Sequence, residues 1–381
     1  MPRPTRVAID LRPLSRGPST GIGLILSQIL EELPGHGFEF IGVSDRPVGS
    51  PAVVESIEVR AGRGSVGRIR WETRELPGIL RAIHPQPDLY HATWNHGVPP
   101  GLPFPALLSL HDLIPWKAPA LVPWPQPSFL HRWLYRRQVR ASARSAAAIV
   151  TLSEASRGDI VARMPEVSAK IEVVPCAVPR WLGPASRDAI ASARARFGER
   201  YWLYLGGFDP RKGVEVLVEA MAIAFPEGKG APALVLAGSV NRLATDLARS
   251  AADRGIRVSL PGYVPDSELS GLLGGATLFV YPSRHEGFGI PPLLAMAVGT
   301  PCVTSDIPAI REVVGDAAAL FPSGDAPALA SLLAEAAKDP ASLWPLARRG
   351  MERSRSFSVE AMTERMIRAY GRAAETRAGS A

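Results

Sequence analysis

The stretch Trp202-Leu203-Tyr204-Leu205-Gly206-Gly207-Phe208-Asp209-Pro210-Arg211-Lys212-Gly213 decides the fold. A short apolar and aromatic run stops at paired glycines, passes two adjacent cations and gives way to an amphipathic stretch. That order reads as a strand, a tight turn and a helix. Such a unit puts backbone N–H groups and the positive end of a helix dipole at the carboxyl edge of a sheet, where phosphates bind. Arg211 offers a planar fork of donors there and Lys212 a point charge, a pairing suited to a diphosphate. With no ligand, the same residues read as an exposed turn with two solvated cations.

Outward from this turn, short β-branched runs and longer amphipathic stretches alternate along the whole chain, the pattern of parallel strands joined by crossover helices. Six strands are expected between Arg6 and Val174 and six between Trp202 and Phe321. They make two doubly wound α/β sheets. A chain of 381 residues outgrows a single core, and two such domains imply a cleft. The segment from Pro175 to Ser186, with Pro179, Gly183 and Pro184, suits a hinge. The expected division is an N-terminal domain over 1–178, a C-terminal domain over 179–358, and a terminal helix in 359–381 that packs back on the first domain.

The composition, 46% hydrophobic and 21% charged, is that of an ordinary globular protein. No 18 residues run apolar without a charge or a proline, so no membrane span is expected. The start of the chain has no apolar stretch of signal-peptide length, and a cytoplasmic location is expected. Cys176 and Cys302 stand alone, far from any metal-binding spacing, and read as core thiols. The net charge of +7 suits an anionic partner, whether a diphosphate, an acidic lipid surface or nucleic acid. Nucleic acid is set aside, because the sequence has no zinc-finger spacing, aromatic-basic RNA motif or lysine-rich tail. The segment from Phe129 to Arg140 carries aromatics and arginines at helical spacing. It reads either as a surface helix whose aromatics pack on its own sheet or as a helix lying on an anionic membrane at the inner face.

Two further glycine turns follow expected strands. Ser19-Thr20-Gly21-Ile22-Gly23 lacks the third glycine of a dinucleotide fingerprint and reads equally as a simple tight turn. Tyr281-Pro282-Ser283-Arg284-His285-Glu286-Gly287-Phe288-Gly289-Ile290-Pro291-Pro292 is more specific. Its prolines suit the first turn of a helix, so the N–H groups around Phe288, Gly289 and Ile290 can point at a ligand while Glu286 offers a carboxylate to sugar hydroxyls. His111-Asp112 after a strand suits either a reacting centre or a hydrogen-bonded corner. His91 and His96 have no spacing argument and read as structural or acceptor-loop residues. Glu72 either faces an acceptor or makes a surface salt bridge.

The run from Glu286 to Pro292, with Ala295-Met296-Ala297, Gly299-Thr300-Pro301 and Glu312-Val313 after it, resembles the donor-site signature of the retaining GT-B glycosyltransferases of the glycogen synthase and mannosyltransferase type (glycosyl transferases group 1, family 4). Val7-Ala8-Ile9-Asp10, Gly21-Ile22-Gly23, His111-Asp112, Thr151-Leu152-Ser153-Glu154, Val173-Val174-Pro175, Arg211-Lys212 and Gly262-Tyr263-Val264 follow in the family's order along nearly the whole chain. The resemblance implies two facing Rossmann-like domains around a central cleft, donor mainly in the second and acceptor mainly in the first. It implies a hexosyltransferase that moves a mannose-like sugar from a nucleotide-diphosphate sugar to a glycan or lipid-linked acceptor, with retention and with no metal or other cofactor. Arg211 and Lys212 match the diphosphate cations, Glu286 the sugar-orienting carboxylate and His111 the histidine near the transferred sugar. Gly206 and Gly207, the backbone around Phe288, Gly289 and Ile290, and the first-domain loop glycines Gly21 and Gly23 match donor contacts. Charge gathering on a leaving diphosphate makes cations and aimed N–H groups the right chemistry.

The sequence departs from that pattern. The family's second glutamate, eight positions after the first, is Leu294 here; Gly207 replaces a frequent arginine, and Cys176-Ala177 an Asn-Gly turn. A lost hydrogen bond to a charged group amounts to about 1.5–3 kcal/mol. That keeps open a second expectation, a degenerate GT-B protein that binds a nucleotide or sugar without turnover.

Overall fold

A computed structural model describes residues 3–16, 21–50, 52–59, 67, 70–122 and 129–378. Among these residues the chain forms two compact units. One draws on Met1–Lys117, Gln126–Ala177 and Val359–Ala381, the other on Ala118–Pro125 and Val178–Ser358.

The first unit holds a parallel sheet of seven strands in the order β3-β2-β1-β4-β5-β6-β7. They are β1 Thr5–Asp10, β2 Phe38–Ser44, β3 Val53–Glu58, β4 Leu89–Ala92, β5 Ala106–Ser109, β6 Ala148–Thr151 and β7 Ile171–Val173. The second holds six parallel strands in the order β10-β9-β8-β11-β12-β13. These are β8 Tyr201–Leu205, β9 Ala233–Ala237, β10 Val258–Gly262, β11 Leu278–Tyr281, β12 Cys302–Asp306 and β13 Ala318–Pro322. The central strands β4, β5, β6, β9 and β11 are buried at every position, as parallel strands covered by helices on both faces must be.

The expectation of six strands in the first half is corrected to seven. The missed strand, β3, lies at the sheet's edge and reads Val-Val-Glu-Ser-Ile-Glu, with most positions exposed. An edge strand has no need of the unbroken apolar run that marked the others.

Strand order reverses between β1 and β4 in the first sheet and between β8 and β11 in the second. Helices on opposite faces leave a crevice at such a point, outside the carboxyl ends of the two strands. Each unit therefore has its ligand edge fixed by topology alone.

The helix Val359–Ala378 comes last in the chain yet lies on the first sheet. It buries Val359, Met362, Met366, Ala369, Tyr370 and Ala373, a helical stripe. The Tyr370 hydroxyl meets His91 Nδ1 at 2.8 Å, and Ser109 Oγ holds His91 Nε2 at 2.8 Å. Burial lowers the His91 pKa to about 3, which makes it a neutral core residue. Within the second unit, Val178 N–H donates to Phe357 C=O at 2.9 Å. Among the described residues no helix is long and apolar enough to cross a membrane.

Candidate active site

In the second unit, the loops after β8 and β11 converge at the point where strand order reverses. Arg284 N–H donates to Arg211 C=O at 2.8 Å. Gly213 makes this approach possible. Its φ is +61°, and a Cβ there would stand 2.3 Å from the Pro282 carbonyl oxygen, where no other residue fits. Asp209 shapes the same turn by accepting the Arg211 N–H at 3.1 Å.

The turn is not an exposed pair of solvated cations. Lys212 is 8% exposed, and its ammonium donates to Glu286 Oε1 at 2.7 Å and to the Tyr281 hydroxyl at 2.6 Å. Arg211 Nη1 donates to Glu286 Oε2 at 3.0 Å. Glu286 Oε1 accepts two more hydrogen bonds, from Tyr281 at 2.9 Å and Ser283 at 2.6 Å. That oxygen is saturated, while Oε2 has one donor and keeps a lone pair for a further one. Burial would raise the Glu286 pKa, but Lys212 and Arg211 outweigh it and bring it to about 2. Burial lowers the Lys212 pKa against the pull of Glu286. Two of the three ammonium donors are engaged, leaving one.

The helix Ile290–Val298 begins beside this cluster. Gly289, at φ +129°, stands at its start and gives no side-chain cap, and Pro291 and Pro292 carry no N–H. The donors at this helix start are thus the backbone groups around Phe288, Gly289 and Ile290. The Phe288 side chain is buried against Phe357, 5.7 Å between ring centroids. Gly206 follows β8, and its N–H pairs with Ala237 C=O at 2.9 Å; Gly207 C=O accepts from Tyr204. Leu294, one turn into the helix, is 5% exposed and apolar. The sequence assigns no role to Tyr281 and Ser283; their hydroxyls reach Glu286 because the loop after β11 folds back on itself within five residues.

The remaining candidates, His111, Gly21 and Gly23, belong to the first unit. Gly21 and Gly23 open the helix Gly21–Glu32, and Ser19 and Thr20 of the same motif lie outside the described residues. His111 follows β5. Its Nε2 donates to Thr93 C=O at 3.2 Å, and its backbone N–H to Asn95 Oδ1 at 2.9 Å. Burial lowers its pKa to about 4. The ring is thus neutral with a bare Nδ1, which is buried and has no hydrogen-bond partner among the described residues. His111 serves as a corner and also presents an unused acceptor.

Glu72 is corrected outright. It is 4% exposed and makes no surface salt bridge. Its Oε1 accepts from Arg12 Nη1 at 2.8 Å and its Oε2 meets His96 Nδ1 at 2.9 Å. Arg12 in turn forks onto Asp10, with Nη2 to Oδ2 at 2.6 Å.

Two doubly wound parallel sheets in separate units, the second carrying a cation–carboxylate cluster where its strand order reverses, define the GT-B architecture. Residues 199–339 match the family model for Glycosyl transferases group 1, and residues 19–180 that for Glycosyltransferase Family 4. The chain belongs to these GT-B glycosyltransferases. Among its relatives is O-antigen chain mannosyltransferase B of Escherichia coli, 28% identical over 384 residues, which span 93% of this chain and 96% of that protein. The fold is that of sucrose-phosphate synthase from Thermosynechococcus elongatus, with a TM-score of 0.76, 24% identity and coverage of 96% of this chain and 98% of the other. It is also that of Anabaena HepE in complex with UDP-glucose, with a TM-score of 0.77, 16% identity and coverage of 96% and 99%.

Proposed function

We propose that this glycosyltransferase moves a mannose-like hexose from a nucleotide-diphosphate sugar to a glycan or lipid-linked acceptor in polysaccharide or glycolipid synthesis. The observation that carries the reading is the buried cluster of Arg211, Lys212 and Glu286 at the ligand edge of the second sheet. The diphosphate takes the remaining Lys212 donor and the backbone donors around Phe288, Gly289 and Ile290, with the Arg211 charge, itself held on Glu286, beside it. The hexose sets a hydroxyl on Glu286 Oε2, the oxygen with room for a donor. These groups are fixed before the donor arrives, so charge developing on the leaving diphosphate meets dipoles already aimed at it. The choice of mannose rests on the mannosyltransferase from Escherichia coli, and that of a nucleotide sugar on the UDP-glucose held by HepE.

Retention of anomeric configuration, with His111 Nδ1 accepting from a hydroxyl of the transferred sugar, completes the reading. No cofactor or metal takes part in it. The experiment incubates the protein with GDP-mannose and methyl α-D-mannoside and follows the new anomeric proton by NMR. An α-linked product supports the reading; a β-linked one overturns retention, and no product favours a binding protein without turnover.

The helix Phe129–Ser145 suggests where the reaction takes place. Tyr135 and Val139 face inward, while Phe129, Leu130 and Trp133 are 84%, 59% and 46% exposed beside Arg132 and Arg137. Exposed aromatics flanked by arginines suit an anionic membrane surface, which would hold a cytoplasmic enzyme near lipid-linked acceptors.

A further inference from the structure

The helix Phe129–Ser145 carries five arginines and no acidic residue. Arg144, in its last turn, pairs with Glu166 at 2.9 Å. Arg136 and Arg140 have no such partner: among the described residues neither makes a hydrogen bond or an ion pair. Glu166 feels the charge of Arg140, but the ion pair it makes is with Arg144. The other cation nearby in the fold, Lys117, is committed to Asp159 at 3.0 Å.

What Arg136 and Arg140 do touch is an indole. They stand one helical turn apart, on the same side of their helix, and both lie over Trp116 of the short helix Ile114–Lys117. The guanidinium carbon is 5.7 Å from the ring centroid for Arg136 and 4.6 Å for Arg140. A guanidinium on an aromatic ring is held by its face, while its N–H groups lie in its own plane. The indole thus braces two forks and uses none of their donors. One of those donors, Arg136 Nε, is buried and has no acceptor. A charged donor kept from water and left unpaired is costly, so the site calls for an anion.

The anion that fits is a phosphate. A carboxylate has two oxygens and a single charge, which one arginine fork satisfies. A phosphate monoester has three terminal oxygens and about two charges near neutral pH, which match two forks side by side.

We infer that Arg136 and Arg140, braced on Trp116, form a binding site for a phosphate group. The site depends on neither the transfer reaction nor the donor cluster of the second unit. On a membrane the phosphate is that of a lipid headgroup, and Phe129, Leu130 and Trp133, exposed on the preceding turns of the same helix, enter the apolar layer beside it. In solution it is the phosphate of a small ester.

The test reads the site at its own ring. The eight tryptophans give eight indole signals in ¹⁵N spectra, and Trp116→Phe identifies the one that reports on this site. Inorganic phosphate is titrated into the wild-type protein at constant ionic strength. A saturable shift of the Trp116 signal is expected with phosphate and not with chloride. No saturable shift with millimolar inorganic phosphate or with short-chain dihexanoyl phosphatidic acid overturns the inference. The double variant Arg136→Lys with Arg140→Lys keeps both charges and removes the planar forks. Its phosphate affinity is expected to fall about tenfold; an unchanged affinity shows a plain cationic surface and also overturns the inference. The short-chain lipid separates the two sources. Tighter binding than inorganic phosphate assigns the site to a headgroup, and equal or weaker binding assigns it to a soluble phosphate; both support the site. Failure of the membrane reading would show separately, as protein that binds phosphate at Trp116 yet stays off anionic vesicles.

Discussion

Lys212 Nζ and Glu286 Oε1 lie 2.7 Å apart, with only 11% and 10% of their side chains exposed. Removing one partner of a buried pair costs about 3–5 kcal/mol, because the other charge is left uncompensated. Arg211, Tyr281 and Ser283 remain on the carboxylate, so the lower end applies. Lys212→Ala is expected to abolish transfer and to lower stability by about 3 kcal/mol. The double variant Lys212→Met with Glu286→Gln should stay inactive but regain most of its thermal midpoint. A midpoint unmoved in Lys212→Ala, the result expected of an exposed turn, would mean that the pair is solvated.

Acid should act through the same groups. Against burial, Glu286 is held at about 2 by Lys212 and Arg211, and Glu72 at about 2 by His96 and Arg12. A carboxylate with a depressed folded pKa contributes stability that is full above its unfolded value and is lost as pH falls through the folded one. Thermal midpoints should therefore drop between about pH 5 and pH 2. The drop should be shallower in Glu286→Gln, which has one such carboxylate fewer; parallel curves for the two proteins would contradict this.

Gly213 offers a backbone test. Gly213→Ala combines a left-handed conformation with the 2.3 Å clash against Pro282 C=O, and about 2–3 kcal/mol of destabilisation is expected. Gly324 has φ +86° and open space around it, so Gly324→Ala isolates the conformational part at about 1 kcal/mol. The donor KM should rise in the first variant alone. Equal effects of the two would show that the approach to Pro282 is dispensable.

Leu294 bears on how well the nucleotide is held. Leu294→Glu restores the family's carboxylate on the helix that opens at the cluster, and nucleotide affinity is expected to rise about tenfold or more. Calorimetry with GDP decides it. An unchanged affinity would show that the ribose is held by other groups.

The exposed helix face predicts sedimentation with phosphatidylglycerol vesicles at low salt and release at high salt. Trp133→Ser with Phe129→Ser should weaken that binding. Protein that stays in the supernatant in low salt removes the membrane from the account.

The strands and the glycine turn at Gly206 and Gly207 were legible in the sequence, because buried parallel strands write themselves as unbroken apolar runs. β3 was not, since an edge strand half in water leaves no such run. The identities of Arg211, Lys212 and Glu286 were legible, but their mutual neutralisation was not. It arises because β11 adjoins β8, bringing together residues 74 positions apart in the chain. The same gap hid Glu72, whose partners Arg12 and His96 lie 60 and 24 positions away. A charge in a local sequence window looks solvated until the topology shows what covers it.

The central claim is that the cluster of Arg211, Lys212 and Glu286 holds the diphosphate of a sugar donor. Calorimetric titration of the wild-type protein and of the Lys212→Met variant with GDP, UDP and ADP tests it most directly. The account predicts that one of the three binds the wild type with a Kd on the order of micromolar and that the variant loses that binding while remaining folded. Silence from all three at millimolar concentration, or equal affinity in the variant, would contradict it.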